Sequence, residues 1–459
     1  MSSARRLRIG LAAYGTGWDL EAWRLPGATN SGLLDPSVIV DVARIAERGK
    51  LDYVFSGSAL ATEPNRLNRV FRWDNSVYAG TLAAVTEHVG FFPSYNTSFE
   101  HPYFVARQIA TADRFSAGRI GVNLVYGIDR EGGPAGNFGG WPLPGEQSKY
   151  DRADEFTEVL FRLLHDSWDH DLLLDDRDGG TLIRPDSWHP IDFVGKHFQV
   201  RGPLNAPPPV QRKVPLIHVG ESARSLELGI RHAEVRFSPY YGFEEGKRRY
   251  QQVKQQVAEA GRDPDKFLII PGITFFVAGT KREAREKFNE AHRVQTEEVI
   301  PAYFSKVFGV DLAGVRASSR AADVLPLERL SGDALKTNRS GGLAREASTV
   351  KRGGLDDAHW LHDLLAKRLG EDLTLAELYH AVQSHLHGEQ IFVGDTAGFA
   401  DWLEANFVER VFDGIQLFPP YHRGPADFFV DNVVPELQRR GLFRREYESR
   451  LLAENLGIA

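Results

Sequence analysis

The 459-residue sequence predicts an α/β fold, a closed parallel (β/α)8 barrel with several long insertions. Short, almost continuously apolar segments alternate with amphipathic helical ones, the pattern of a parallel sheet covered on both faces. Those segments number eight, enough to close a barrel. The alternative, an open doubly wound sheet, would carry a dinucleotide fingerprint at its switch point. "YGTGWDL" offers Gly15 and Gly17, but Leu20 stands where the third glycine belongs, and a simple turn explains the stretch.

The strands are read in order as "LRIGLAAY" from Leu7, "YVFSG" from Tyr53, "HVGFFPSYN" from His88, "IGVNLVY" from Ile120, "PLIHVG" from Pro215, "VRFSPY" from Val235, "FLIIPGITFFVAG" from Phe267 and "GIQLFPP" from Gly414. Helices lie between them. "PSVIVDVARIAERG" takes Asp35 as N-cap and Pro36 at N1, and stops at Gly49. "DRADEFTEVLFRLLHDSW" sets Phe156, Val159, Leu160 and Leu163 at helical spacing. "ESARSLELGIRHA" opens on Ser222, a capping residue.

The expected organisation is one barrel domain over residues 1–459, with insertions at about 127–149, 170–213 and 300–385. The first is rich in Gly and Pro. The second reads as a small hairpin and a proline-stiffened segment, the third as polar and helical. A long connection at about 14–35 also follows strand one. Loops after strand C-termini carry the site in such barrels.

Composition narrows the chemistry. With no cysteine there is no disulfide, thiolate nucleophile or Cys-type metal site. A net charge of −7 argues against nucleic acid, and no apolar run approaches the ~18 residues of a membrane span. A cytoplasmic protein is expected. Ser56 and Ser58 lack a nucleophile elbow, and no carboxylate pair follows strands four and seven as a barrel glycosidase would need. "SHLHGE" holds His385 and His387, but no third metal ligand stands at sensible spacing.

Two stretches remain. Asn123 lies within an apolar strand, where an unpaired amide would cost roughly 1–3 kcal/mol. It either meets a planar, polar-edged ligand or is satisfied by neighbouring backbone. "VGES", Val219 to Ser222, is a strand end, a glycine turn and a helix start, a place where N–H groups suit a phosphate or are simply capped. Tyr150 and Arg152, read as preceding a long helix, are placed within reach of the same anion.

The segment "TEHVGFFPSYNTSFEHPYFVARQIATADRFSAGRIGVNLV", Thr86 to Val125, resembles the bacterial-luciferase-like flavin monooxygenases, in the branch of nitrilotriacetate and dibenzothiophene-sulfone monooxygenases. Three further blocks agree in order: "YDRADEFTEVLFRLLHDSW" from Tyr150, "HPIDFVGKHFQVRGPLNAPPPVQ" from His189 and "VVPELQRRGLFRREY" from Val433. The resemblance implies a luciferase-like TIM barrel. It implies reduced FMN (FMNH2) supplied by a separate NAD(P)H:FMN reductase, O2 as co-substrate, and a homodimer or homotetramer, with residues 77–115 as an interface. Asn123 would lie beside the flavin ring and Ser94 near its polar edge, the two steering the flavin–oxygen adduct at C4a or N5. Tyr150, Glu221 and Ser222, with Gly220, would hold the phosphate. His387 falls where the family carries a histidine.

Three departures stand out. "VNLVYG" replaces the family's "WNVVTS", so Tyr126 and Gly127 stand for Thr-Ser. Ser58, at a cofactor-binding position, replaces an Asp, and Leu20 replaces a His. For the substrate pocket the sequence offers Trp18, Phe55, Phe92, Tyr95, Phe138 and His387, with Tyr14, Trp23 and Phe91 as further aromatics. This suits a small apolar aromatic xenobiotic, an aryl sulfone or halogenated ring oxygenated with release of sulfinate or halide. A polycarboxylate would want clustered Arg and Lys. A deazaflavin-dependent oxidoreductase on the same barrel, or a flavin-binding non-catalytic member, is the alternative.

Overall fold

The computed structural model describes residues 5–18, 24–29, 31–62, 71–126, 134–139, 146–220, 222–293, 299–326, 373–379 and 390–459. Glu221 and His387, with Leu20, Trp23, Gly127 and His385, lie outside them.

The eight strands are β1 (Arg8–Ala12), β2 (Tyr53–Ser56), β3 (Gly90–Asn96), β4 (Val122–Val125), β5 (Leu216–Val219), β6 (Val235–Ser238), β7 (Leu268–Ala278) and β8 (Gly414–Phe418). Each pairs in parallel with its neighbours in chain order, and β8 returns to β1, so the sheet closes. All eight match the segments read from the sequence.

A ninth parallel strand, Gln390–Asp395, was not legible. It pairs with Ile273 to Ala278 of β7, beyond the stretch Leu268 to Pro271 that pairs with β6. Pro271 has no N–H to give and stands where β7 changes partners on that edge. The second insertion forms two short hairpins, Leu173–Asp176 with Thr181–Ile183 and Phe193–Val194 with Gln199–Val200.

The helices follow the apolar spacing. In α1 (Ser37–Arg48), Pro36 occupies the N-cap position, one residue later than read. Asp35 Oδ1 still accepts the Ser37 N–H at 2.9 Å, so the carboxylate caps from one step back. After α2 (Asn75–Ala84) and α3 (Pro102–Phe115) comes α4 (Glu146–His165), whose Phe156, Val159, Leu160 and Leu163 are all buried against the barrel. Tyr150 and Arg152 sit inside this helix rather than before it.

Strand alternation divides the core in two. Val54, Phe91, Tyr95, Val122, Leu124 and Leu216 point outward into the layer shared with the helices. Tyr53, Phe92, Ile217, Val235, Leu268 and Ile270 point into the lumen, where Leu452, Leu456 and Ile458 of the C-terminal segment plug the barrel from below.

That end is also sealed by buried carboxylates. Asp52 accepts the N–H of Ile9 at 2.6 Å, Glu234 that of Leu216 at 3.0 Å, and Asp413 that of Ile269 at 2.9 Å. Asp113 accepts N–H groups of Val210 and Gln211. The first three cap strand starts and Asp113 ties down the loop before β5, and cations or an amide face them: Arg444 beside Asp52, Lys213 and Arg262 beside Glu234, Lys254 and Arg5 beside Asp413, Gln211 beside Asp113. These acids are committed to the floor, so chemistry belongs to the opposite mouth.

Candidate functional site

At the mouth, Ser94 on β3 and Asn123 on β4 are register partners on the lumen side. The Ser94 hydroxyl donates to the Ser56 carbonyl at the end of β2, at 2.6 Å. Having spent its proton there, Ser94 Oγ accepts from Asn123 Nδ2, at 2.7 Å. The chain of bonds fixes the amide's orientation: its nitrogen must face Ser94, so its oxygen must face away. Asn123 is 1% exposed, and its Oδ1 has no protein hydrogen-bond partner. A buried acceptor held in this way fits a ligand that presents an N–H.

Across the mouth, the connection after β1 lays aromatic rings over the end of β8. Trp18 stands 4.4 Å from Phe418 and 5.1 Å from Tyr14, centroid to centroid. The Trp18 backbone N–H donates to the Pro419 carbonyl at 2.8 Å, which ties the connection down. Phe237 meets Phe418 edge-on from β6. Beside this cluster a narrow recess is lined by Ala13, Tyr14, Ser56, Gly57, Arg72, Trp73 and Tyr78 among others. Arg72 is its one cation among the described residues, and it lies over the Tyr14 ring at 5.1 Å.

The candidate anion seat lies after β5. Gly220 takes φ +139, and a Cβ there would stand 2.1 Å from Ser225 Oγ. Ser222 caps α5 (Ala223–His232), its oxygen accepting the Ser225 N–H at 3.2 Å. Tyr150 reaches from α4 to place its hydroxyl 2.9 Å from Ser222 Oγ. Two hydroxyls sharing one hydrogen bond leave one proton to donate outward. The first-turn N–H groups of Ala223 and Arg224, which helix geometry leaves without intrahelical partners, lie beside it. The Arg224 guanidinium is turned to Glu227, Asp151 and Asp154, so the seat rests on hydroxyls and helix polarity.

Other sequence assignments fall elsewhere. Phe92 is fully buried in the lumen floor, edge-on to Tyr53 at 4.9 Å and against Gly121, and is not among the residues that line the recess. Tyr95 and Phe91 are one residue out of phase with Ser94 and face the helices instead. Phe55 is half-buried on the lumen side, and Ser58 is half-buried in the loop after β2. Phe138, 39% exposed, stacks on Phe99 at 5.0 Å outside the aromatic cluster. Arg152 donates to the Thr97 carbonyl at 3.1 Å and lies over Phe198 at 4.3 Å, so it does not serve the anion seat.

Sequence reasoning missed three participants. Phe418 was read only as strand. The Ser56 carbonyl carries no side-chain signal. His218, mid-strand in β5, meets Ser225 Oγ at 3.1 Å. Burial, with Arg236 nearby, pushes its pKa down to about 3, so its imidazole is neutral. Its signal was a lone histidine two residues before a glycine turn. Among the described residues no group of acids and histidines is arranged to hold a metal, and no helix is long and apolar enough to cross a membrane.

A closed parallel barrel with a capped helix start after strand five and a fixed buried acceptor at its mouth has the build of a barrel enzyme, with its site at the C-terminal ends of the strands. The chain belongs to the luciferase-like monooxygenase family, whose model matches residues 20–348. It is 32% identical to nitrilotriacetate monooxygenase component A of Aminobacter aminovorans over 477 aligned positions, covering 100% of this chain and 98% of that protein. It is 31% identical to dibenzothiophene-sulfone monooxygenase of Rhodococcus erythropolis, covering 95% and 93%. Among solved structures, riboflavin lyase with modified FMN and riboflavin superposes with a TM-score of 0.77 at 25% identity, covering 98% of this chain and 96% of that one. The resemblance read from the four sequence blocks therefore holds, and the protein is a flavin-dependent monooxygenase.

Proposed function

We propose that this chain is the oxygenase component of a two-component system. It takes reduced FMN from a separate NAD(P)H:FMN reductase and uses O2 to oxygenate an apolar aromatic compound, an aryl sulfone or a halogenated ring. The observation that carries the reading is the Ser56–Ser94–Asn123 chain, which presents one buried acceptor at the mouth. The ring N–H groups of reduced flavin match it, and the phosphate matches the Tyr150–Ser222 seat.

When bound, reduced FMN supplies the two electrons with which O2 gives one oxygen atom to the substrate and one to water. The protein's part is placement. Tyr150, Ser222 and the α5 N-terminus hold the phosphate. Ser94 orients Asn123, which accepts a ring N–H. Tyr14, Trp18 and Phe418 exclude water and offer faces for an aromatic substrate. With a single Arg among the described residues of the recess, the cluster of cations that a compact polycarboxylate would want is not among them. For a 4-halophenol the balance closes: substrate, O2 and two electrons with two protons give benzoquinone, hydrogen halide and water.

The test is anaerobic titration with reduced FMN, then mixing with ¹⁸O2 and dibenzothiophene sulfone or 4-chlorophenol. One ¹⁸O atom in the organic product supports the reading. Hydrogen peroxide release with both compounds, together with coupled oxygenation of an aminopolycarboxylate, would overturn the substrate assignment. Failure to bind reduced FMN would overturn the whole.

A further inference from the structure

Behind the anion seat lies a buried layer that touches no ligand. Tyr126, one residue past β4, faces outward and meets Tyr150 edge-on at 5.5 Å and His218 at 5.8 Å. His218 Nε2 is 3.1 Å from Ser225 Oγ, and the Ser225 N–H is the group that Ser222 accepts. A path of direct contacts thus runs from Tyr126 through Tyr150 to Ser222, and from His218 through Ser225 to the same Ser222.

Two glycines make room for this layer. A Cβ at Gly220 would strike Ser225 Oγ at 2.1 Å, and a Cβ at Gly229 would strike His218 Nδ1 at 2.6 Å. The imidazole is therefore held between the second turn of α5 and the Tyr126 ring. It sets how far the first turn of α5 stands from the end of β5. Ser225 is 1% and His218 3% exposed, so neither meets solvent.

Resting on the proposal that Tyr150 and Ser222 receive the FMN phosphate, we infer that His218 and Tyr126 are positioning residues for that phosphate. They fix the Ser222 and Tyr150 hydroxyls and the α5 N-terminus in one constellation, and so make the barrel select FMN over unphosphorylated riboflavin. The Tyr126 ring, rather than its hydroxyl, does this, because the contacts to Tyr150 and His218 are between rings.

The experiment compares dissociation constants for photoreduced FMN and riboflavin under anaerobic conditions, read by tryptophan fluorescence, in the wild type and in His218→Ala, His218→Gln, Tyr126→Ser and Tyr126→Phe. The wild type is expected to prefer FMN. His218→Ala and Tyr126→Ser should each cut that preference by about tenfold, through weaker FMN binding with riboflavin affinity unchanged. His218→Gln, which keeps a polar atom within reach of Ser225, and Tyr126→Phe should restore most of it. Equal weakening of both flavins, as a general loss of folding would give, overturns the inference, as does an unchanged preference in His218→Ala and Tyr126→Ser. A wild type that binds both flavins equally removes the phosphate seat itself. A wild type that binds neither removes the flavin reading, so the failures are told apart before any variant is measured.

Discussion

Asn123→Leu should leave the flavin-free protein as stable as before, or more stable, while weakening its hold on reduced FMN. The side chain is buried and close to isosteric with leucine. Its carbonyl oxygen has no protein partner, a burden of about 1–3 kcal/mol that the substitution removes. Its amino group donates one hydrogen bond to Ser94, worth about 1 kcal/mol net, which is lost. Ser94 keeps its own bond to the Ser56 carbonyl. The balance for the flavin-free state lies between zero and about 2 kcal/mol of stabilisation. With flavin bound the sign reverses, since the oxygen then accepts a ring N–H worth about 1–2 kcal/mol, or roughly five- to thirtyfold in affinity. Ser94→Ala supplies the contrast. It strands both the Asn123 amino group and the Ser56 carbonyl, and should cost about 2–4 kcal/mol in the same protein. Urea midpoints without flavin, set beside anaerobic titrations with reduced FMN, read both quantities. Destabilisation of Asn123→Leu by more than about 2 kcal/mol with flavin affinity intact would refute the reasoning and make Asn123 a packing residue.

Three further outcomes follow from the same structure. Arg444→Ala should lower unfolding free energy by about 3–5 kcal/mol, because it leaves Asp52 buried and unpaired beneath β1; chemical denaturation checks this. Glu100 is pushed up to about 7 by burial, with Asp74 adding to the effect and the Asn96 N–H opposing it. Its folded form therefore binds a proton between about pH 4.5 and 7 that the unfolded chain has released, so its contribution to stability falls as pH rises through that window. Glu100→Gln should flatten that slope and raise stability at pH 8, as read from melting temperatures across pH. Trp18→Ala should raise KM for an aromatic substrate about tenfold, with reduced-FMN affinity unchanged, since its ring meets Tyr14 and Phe418 and not the anion seat.

How much was legible depended on whether one periodicity settled the question. The eight barrel strands declared themselves because a strand covered on both faces must be apolar throughout, and nothing else of that length is. The ninth, Gln390–Asp395, has mostly half-buried residues and only three consecutive apolar ones between Gln390 and Gly394, so it lacked that mark. Within a strand the same apolarity hides which face a residue takes. Phe91, Phe92 and Tyr95 read alike as aromatic pocket residues until Ser94 and Asn123 fixed the lumen side; then period two sent Phe91 and Tyr95 to the helices and Phe92 to the floor. Ser222 was legible as a cap because helix starts announce themselves, whereas Tyr150, read as preceding its helix, stands inside it. His218 and Ser225 lie one layer behind, and Arg152 went wrong because nothing in the sequence told that Thr97 and Phe198 would claim it.

The two ends of the barrel divide the polar residues by what each can do. At the floor, Asp52, Glu234 and Asp413 are bound by strand N–H groups and Asp113 by loop N–H groups, and cations or an amide face all four, an arrangement that holds the strands and the loop before β5 in place. At the mouth, among the described residues, Ser94 and Asn123 face the lumen as a hydroxyl and an amide, in a fixed chain that ends in one open acceptor. Such groups neither abstract a proton from carbon nor attack a carbonyl at neutral pH. What they do well is hold a heterocycle by its N–H edge in a site that aromatic rings keep dry. The barrel has placed its acids where they stabilise and its neutral donors and acceptors where they orient, which is the division of labour expected when the bound cofactor brings the reactivity and the protein decides where it is spent.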